Sequence, residues 1–471
     1  MKELLSKIGV LHEALIEAFS KLPSKEVYEL SKTVYKETEQ RGFTYQRGAD
    51  RIDVLSLMLV PSFFTQEEIT YLHNLSLTIK GGVLKVFRNY FLDEEIEEVL
   101  PLTYEEKDWF KGFYREARGG AEELWYRLDA HLHMKDLGWK DKISVFEINS
   151  SAVGGIHYSP VAEAIFMEVI LPVVRDYLPA LPPLKKNPDL RELLLGLART
   201  HARGIGRKGL TLAFVEDKTL TEGITEGPYI VDFLQRKGVK AFYVDPRELY
   251  VKGDEVYYRD EPLDILYRNF EVRDIIEMEG NREDTQALRF AFSKNQVIST
   301  LAGDFDHKSV LEVLTSERFR RYFSLKEAQL FKKHIHWTRV VRGCTTDGPD
   351  GTTIDLIPFA VRNKDMFILK PNRMCGGYGI TLGSLNTPTE WEGLLKKAVS
   401  EEDEWVIQTL GRPEETILPL FEGERLVFDN HNIVYGLSST HEGTGVLGRA
   451  SREKVVNVAR QGGLVPVLRV G

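Results

Sequence analysis

The sequence has few cysteines, no long apolar run and no excess of basic residues. Its two cysteines, Cys344 and Cys375, are too few for a disulfide framework or a four-cysteine metal site, so a reducing compartment is expected. The longest apolar stretch, residues 54–64, is too short to cross a membrane. A net charge of −9 argues against a nucleic-acid binder, which needs basic residues to neutralise phosphates. We therefore expect a cytoplasmic protein that binds neither membranes nor nucleic acids.

The remaining composition is that of an ordinary globular protein. At roughly 100–200 residues per domain, a chain of 471 residues indicates two or three domains. The first residues alternate charged and apolar side chains, which predicts an amphipathic helix rather than a signal peptide. A stretch rich in proline and lysine, residues 178–189, is interpreted as a linker.

The hydrophobic pattern divides the chain into four parts. Residues 1–119 are predicted to be helical and to pack as a cap on the rest. Residues 120–200 contain a predicted strand, 143–149, followed by a small-residue turn and an apolar helix. In residues 201–300, strand and helix patterns alternate, which is typical of an α/β domain with a parallel sheet. Strands separated by glycines dominate residues 301–471.

A glycine-rich loop between two predicted strands is the strongest functional signal. Lys370 follows the first strand, and Gly376, Gly377 and Gly379 precede the second. The backbone N–H groups of such a loop can approach phosphate oxygens closely, and a lysine at its base adds a positive charge. The spacing is not that of a Walker A loop. The alternative is a glycine turn beside a surface lysine, and the loop alone does not decide between the two.

Two short patterns place polar side chains on one face of a strand. Glu147 and Asn149 are two residues apart, so both side chains face the same way. A carboxylate and an amide carbonyl are hard oxygen ligands suited to Mg²⁺. Arg127 and Asp129 repeat the spacing, which makes Asp129 a candidate third ligand and Arg127 a candidate for stabilising a transferring phosphoryl group. The alternative for each pattern is a strand end with solvated charges.

Four further residues are candidates for substrate binding. Arg268 ends a predicted strand of the α/β part, where ligands of open α/β sheets bind, and it could hold a carboxylate bidentately. His157 follows the small-residue turn and lies near the proposed metal strand in sequence. Arg449 and Arg460 belong to a C-terminal segment that could close over a substrate. A solvated C-terminal hairpin is the alternative for that segment.

In this order, the motifs resemble those of the circularly permuted ATP-grasp ligases, a group that includes eukaryotic-type glutathione synthetases and the glutathionylspermidine synthetase domain. The metal strand precedes Lys370 here, whereas the glycine loop comes first in ATP-grasp enzymes of the usual order. The resemblance implies an α/β (α+β) ATP-grasp fold whose two parts are residues 120–200 and 301–471. Residues 201–300 would be an inserted parallel-sheet substrate domain, and residues 1–119 a helical N-terminal region.

The resemblance also implies roles for individual residues. Mg²⁺ would be held by Asp129, Glu147 and Asn149, while Arg127 would be catalytic. The glycine loop lacks the acidic metal ligand of the glutathione synthetases, so Asp129 or Asn372 would replace it. Arg268, Arg449 and His157 would contact the substrate. The implied ATP-binding residues are Lys308, Lys370, Gly376, Gly377, Gly379, Val406 and Gln408.

The activity implied by the resemblance is ATP-dependent ligation of a carboxylate to an amine. The acid would attack the γ-phosphoryl group of ATP to give an acyl-phosphate and ADP, and the amine would then displace phosphate to form an amide. The substrates would be a small amino acid, a peptide or a polyamine, and a homodimer is common among ligases of this shape. One alternative is an inactive nucleotide-binding protein of the same fold. Another is a structural or interaction protein that binds no nucleotide and whose motifs match those of the ligases by coincidence.

Overall fold

The structure, a computed structural model, describes most of the chain. The described residues are 2–119, 123–178, 181–374, 376–401, 404–453, 456 and 462–471, without the side chains of 2–7 and 115–119. The α-helices are α1 Lys2–Ser20, α2 Ser24–Gln40, α3 Gln66–Asn89, α4 Glu94–Val99, α5 Tyr104–Gly119, α6 Trp139–Lys142, α7 Tyr158–Ile165, α8 Leu171–Val174, α9 Leu190–Gly204, α10 Gly227–Arg236, α11 Val272–Gly280, α12 Gln286–Ser293, α13 Val310–Thr315, α14 Leu325–His334, α15 Leu356–Arg362 and α16 Pro388–Ser400.

Strands fill much of the remaining chain. They are β1 Thr44–Arg47, β2 Ile52–Val54, β3 Ser56–Leu57, β4 Ser62–Thr65, β5 Arg127–His131, β6 Ser144–Asn149, β7 Leu184–Lys186, β8 Thr211–Val215, β9 Glu222–Ile224, β10 Lys240–Val244, β11 Leu249–Lys252, β12 Glu255–Tyr258, β13 Glu261–Pro262, β14 Ile265–Arg268, β15 Val297–Ile298, β16 Thr338–Val340, β17 Thr345–Asp347, β18 Thr353–Asp355, β19 Phe367–Pro371, β20 Thr381–Leu382, β21 Trp405–Thr409, β22 Glu414–Glu422, β23 Arg425–Thr440, β24 Gly443–Ser451, β25 Gly463–Val465 and β26 Val467–Val470.

The hydrophobic pattern predicted a helical N-terminal region. The structure contains helices there but also four short strands, β1 to β4. Strands β1, β3 and β4 pair with distant parts of the chain: β1 with β9, β3 with β25 and β4 with β26. All four strands are only two to four residues long. Strand β2 pairs with the neighbouring β1, and the other three depend on a partner far away in sequence. A helical pattern could therefore be read from α1 and α2 but not the strands between α2 and α3.

The part predicted to be α/β contains the expected parallel sheet. Its strand order is β10-β8-β14-β15, and every pairing in it is parallel. Strand β8 is almost entirely buried from Leu212 to Val215, which explains its continuous apolar sequence. The predicted linker at residues 178–189 differs from expectation, because β7 lies within it and pairs antiparallel with β26.

Two sheets frame the predicted site, and both are antiparallel apart from the parallel pairing of β3 with β25. The larger has the order β3-β25-β24-β23-β5-β6, with β22 also paired to β23. The smaller has the order β16-β21-β19-β20 and carries Lys370 on β19. Among the described residues, no helix combines the length and the apolar character needed to cross a bilayer.

Candidate functional site

Two neighbouring antiparallel strands bring the three predicted metal ligands and the predicted catalytic arginine together. In the register of β5 and β6, Asp129 lies opposite Glu147 and Arg127 lies opposite Asn149. Directly opposed residues project to the same face of a sheet, and all four side chains line one cavity. The sequence showed the spacing within each strand. The pairing of β5 with β6 places the side chains of both strands on one wall of the cavity.

Asp129 is the centre of this wall. Its Oδ1 lies 2.8 Å from Arg127 Nε and 2.8 Å from Arg449 Nη2, and its Oδ2 accepts a hydrogen bond from Asn149 Nδ2 at 3.2 Å. Burial opposes ionisation of Asp129, but the charges of Arg127 and Arg449 outweigh it and hold the pKa of this carboxyl well below its usual range. Asp129 is therefore a buried, ionised carboxylate.

Glu147 is paired with the lysine that the family resemblance had suggested. Lys308 Nζ lies 3.0 Å from Glu147 Oε1 and donates to the carbonyl oxygen of Met374 at 2.5 Å. Burial opposes ionisation of Glu147, yet the charge of Lys308 brings the net pKa of the carboxyl below its ordinary value. Lys308 thus connects a proposed metal ligand to the glycine-rich loop.

Lys370 and Gln408 belong to the opposite wall. Lys370 Nζ donates to Gln408 Oε1 at 2.7 Å and lies 4.9 Å from the centre of the Phe146 ring. The Gln408 amide is fixed in turn, because its Nε2 donates to Thr338 Oγ1 at 2.8 Å. Burial lowers the pKa of Lys370 to about 8, because the charges of Glu147 and Asp129 offset the loss of hydration only in part. Val406, opposite Lys370 on β21, is a fully buried core residue.

The glycine-rich loop has a left-handed backbone at its three glycines. Gly376, Gly377 and Gly379 have φ angles of 72°, 72° and 70°, a left-handed region that favours glycine. Gly376 and Gly377 line the cavity. Gly379 has a packing role, because a Cβ atom there would lie 2.7 Å from Pro371 Cγ. Cys375 lies outside the described residues.

The two walls enclose a cavity of about 730 Å³. This volume is within the usual range of small-molecule sites. Among its described lining residues, five cationic side chains accompany three carboxylates, although the chain as a whole carries a net charge of −9. The cavity therefore suits an anionic ligand. The charged residues are Arg127, Lys308, Lys370, Arg412, Arg449, Asp129, Glu147 and Glu415.

Asn432 is a lining residue that the sequence reasoning missed. It is only 7% exposed, and its Nδ2 donates to the Glu453 carbonyl oxygen at 3.2 Å. Its Oδ1 is buried and has no hydrogen-bond partner among the described residues. A buried, unsatisfied acceptor at a cavity wall is suited to a donor group of a ligand. No local spacing in the sequence connects Asn432 to the metal-site strands, so nothing there marked it.

Gly436 gives Arg127 the space it needs. Gly436 lies opposite Asp129 on β23, and a Cβ atom there would lie 2.5 Å from Arg127 Cδ. We expect Gly436→Ala to displace Arg127 and to lower the free energy of unfolding by about 1–3 kcal/mol, the usual cost of overpacking. Urea denaturation would measure this.

A glycine outside the site provides the control for that substitution. Gly393 lies inside α16, and a Cβ atom there would meet nothing within 4 Å. We expect Gly393→Ala to raise the stability by about 0.5–1 kcal/mol. If the two substitutions changed the free energy of unfolding equally, Gly436 would not be needed to make room for the Arg127 side chain.

Arg268 is not a lining residue of the cavity. Its Nη2 lies 2.5 Å from Asp304 Oδ2 and its Nε donates to the Ser299 carbonyl oxygen at 2.8 Å. A second carbonyl oxygen, that of Thr300, accepts from Nη2 at 2.9 Å. These internal partners occupy the fully buried guanidinium, so we remove Arg268 from the proposed substrate contacts.

His157 is likewise placed away from the cavity. Its Nε2 lies 2.7 Å from the carbonyl oxygen of Arg41, and its ring stacks on Tyr229 with ring centres 5.1 Å apart. Burial lowers the pKa of His157 to about 4. We remove it from the substrate contacts too. Arg449 does line the cavity, and Arg460 lies outside the described residues.

The comparisons with known proteins identify the fold. No family model and no curated protein matches this chain. Among solved structures, it is similar to a glutathione synthetase-like effector from Globodera pallida in its apo form. The TM-score is 0.64 at 12% sequence identity, and the alignment covers 96% of this chain and 98% of that one. This likeness shows a mixed α/β, glutathione synthetase-like fold and confirms that part of the prediction.

Proposed function

We propose that this chain is an ATP-dependent carboxylate–amine ligase with a circularly permuted ATP-grasp fold. The observation that carries the proposal is the pairing of Asp129 with Glu147 and of Arg127 with Asn149 on one wall of the cavity. Lys308 and Lys370 line the same cavity with the glycine-rich loop. Oxygen ligands and cationic side chains so arranged suit a metal-bound polyphosphate.

The donor set fits Mg²⁺. Asp129 and Glu147 provide carboxylate oxygens and Asn149 an amide oxygen, which are the ligand types this ion prefers. The described residues contain no cluster of three or more His, Cys, Asp or Glu side chains that could hold a metal ion. Three protein ligands leave positions for phosphate oxygens, as expected of a magnesium ion that arrives with its nucleotide. When bound, Mg²⁺ would neutralise phosphate charge and orient the γ-phosphoryl group.

The residues of the cavity would then position the reactants. Lys370 and the backbone N–H groups of Gly376 and Gly377 would hold the phosphates, and Lys308 would exchange Glu147 for a phosphate oxygen. Arg127 would stabilise the charge that develops on the transferring phosphoryl group. Arg449 would bind the carboxylate substrate near the phosphoryl group. The C-terminal segment would keep water from the acyl-phosphate.

A nucleotide-binding protein without ligase activity is the second candidate. It is favoured by Asn372, the loop residue that was a candidate to replace the family's acidic ligand. Asn372 is buried, and its Oδ1 accepts a hydrogen bond from the Ser309 N–H at 2.9 Å. Release of ADP that requires both an acid and an amine would separate the ligase from this alternative.

Thermal unfolding with and without Mg·ATP tests the proposed site. At about 100 times the dissociation constant, ligand should stabilise the native chain by about 2.7 kcal/mol, a shift of a few degrees. We expect the magnesium-dependent part of the shift to disappear in a Glu147→Ala/Asn149→Ala variant. An exposed carboxylate on α16, Glu392, pairs with Lys396 at 2.8 Å, and Glu392→Ala is the control that should keep the full shift. The absence of any shift in the native chain would overturn the proposal.

A further inference from the structure

The first residues of the glycine-rich loop are fastened to the segment that carries Lys308. The Lys308 N–H donates to the Asn372 carbonyl oxygen at 3.0 Å, and the Ser309 N–H donates to Asn372 Oδ1 at 2.9 Å. Lys308 Nζ reaches the Met374 carbonyl oxygen at 2.5 Å. The base of the loop is therefore held on both sides of Arg373.

Arg373 connects this base to the N-terminal region. Its Nη1 donates to Glu106 Oε2 at 2.8 Å and its Nη2 to Glu106 Oε1 at 2.5 Å, which is a bidentate pair. The Glu106 side chain is 3% exposed and that of Arg373 is 18% exposed. A pair so shielded from water restricts both side chains far more than a surface ion pair does.

Glu106 is itself fixed at the start of α5. Its Oε2 accepts a hydrogen bond from the Thr103 N–H at 2.8 Å, and its own N–H donates to Thr103 Oγ1 at 3.2 Å. This reciprocal arrangement is a capping box. Burial opposes ionisation of Glu106, but its hydrogen bonds with Arg373 hold the net pKa below the ordinary value. The carboxylate is therefore charged and oriented at neutral pH.

Beyond Met374 the loop has a different character. Gly376, Gly377 and Gly379 have left-handed φ angles, and Tyr378 is 49% exposed. Glycines give the tip of the loop little conformational stiffness of their own. The direction in which the tip leaves β19 is thus determined at its base, where Arg373 is held.

We propose that Glu106 is a positioning residue for the nucleotide site. Through Arg373 it holds the base of the glycine-rich loop where Gly376 and Gly377 reach the cavity. This inference rests on the proposed function. It also gives the N-terminal region, which the family resemblance does not cover, a part in building the site.

Nucleotide affinity in Glu106 and Arg373 variants tests this inference. We expect Glu106→Gln and Arg373→Gln each to weaken Mg·ADP binding roughly tenfold by isothermal titration, the scale of a lost supporting contact. The double variant should bind no more weakly than either single one, because both changes break the same pair. Glu106→Asp keeps the charge and should recover part of the affinity. Lys107→Gln breaks an ion pair of the same helix, 3.0 Å from Glu97, and should bind as the native chain does.

Amide hydrogen exchange gives a second measurement that needs no nucleotide. Residues 376–382 should exchange faster in Glu106→Gln and in Arg373→Gln than in Lys107→Gln. Native exchange rates and native affinity in these variants would overturn the inference. If Glu106→Gln does not fold, Arg373→Gln decides, because that side chain is on the loop and partly exposed. If the native chain binds no nucleotide, the proposed function fails, and exchange rates in the loop alone then support or overturn the anchoring by Glu106.

Discussion

Lys370→Met is expected to stabilise the ligand-free protein while weakening nucleotide binding severely. Lys370 is only 5% exposed, and burial lowers its pKa from 10.5 to about 8. Such a shift corresponds to about 3 kcal/mol of destabilisation at pH 7. Loss of the partner of Gln408 Oε1 would offset about 1–3 kcal/mol of the gain. We therefore expect a net gain of about 1 kcal/mol in urea unfolding, and a loss of roughly 10–100-fold in Mg·ADP affinity by titration.

The pH dependence of this gain follows from the direction of the pKa shift. Between pH 8 and pH 10.5 the folded chain binds fewer protons at Lys370 than the unfolded chain does. The stability of the native chain therefore rises relative to the variant across this window. Below pH 8 the destabilisation by Lys370 is complete, and above pH 10.5 it is absent. The advantage of Lys370→Met should accordingly shrink as the pH is raised.

The second lysine of the cavity is the matched control. Lys308 is 7% exposed but has a carboxylate, Glu147, at 3.0 Å. Removing one partner of a buried pair leaves the other charge uncompensated. We expect Lys308→Met to lower the free energy of unfolding, whereas Lys370→Met raises it. Destabilisation of equal size in both variants would show that Lys370 is a structural residue.

Asp129→Asn is expected to be the most destabilising single change in the site. It would leave two guanidinium groups, those of Arg127 and Arg449, without their shared counter-charge. Breaking a buried pair in this way costs about 3–5 kcal/mol. Urea denaturation at pH 7 would measure the loss. Because the folded pKa of Asp129 is lowered, its stabilisation is complete above about pH 4 and is lost as the pH falls below that value.

Glu147→Gln provides the comparison for Asp129→Asn. Its side chain is 21% exposed, and among the residues that the structure describes its ion-pair partner is Lys308. We expect a smaller loss of stability from it, together with the same loss of magnesium-dependent nucleotide binding. If Asp129→Asn cost less than Glu147→Gln, the central position of Asp129 between the two arginines would be refuted.

Site residues that are close together in the sequence could be predicted, and contacts between residues far apart in the sequence could not. Spacing within one strand was enough to select Glu147 with Asn149 and Arg127 with Asp129, because alternation fixes which side chains share a face. Contacts between distant segments were not visible. Arg449 reaches Asp129 from another strand, and no local pattern encodes that ion pair. Asn432 and Gly436 were missed for the same reason.

Arg268 shows how a sound local argument failed. Its place at the end of a parallel strand was predicted and observed. The sequence did not reveal that Asp304, on a turn 36 positions later, pairs with its guanidinium. Among the strands, the apolar runs were long enough to predict the parallel sheet. The short strands of the N-terminal region had no periodicity long enough to recognise.

The pairing of β3 with β25 and of β4 with β26 has a consequence for the folding of the protein. Strands β3 and β4 lie near residue 60, whereas their partners β25 and β26 begin at Gly463 and Val467. Such long-range pairings are slow to form, and the edges of β3 and β4 stay exposed until the distant partner strands reach them. We therefore expect removal of β25 and β26 to leave β3 and β4 without partners and to make the chain prone to aggregation.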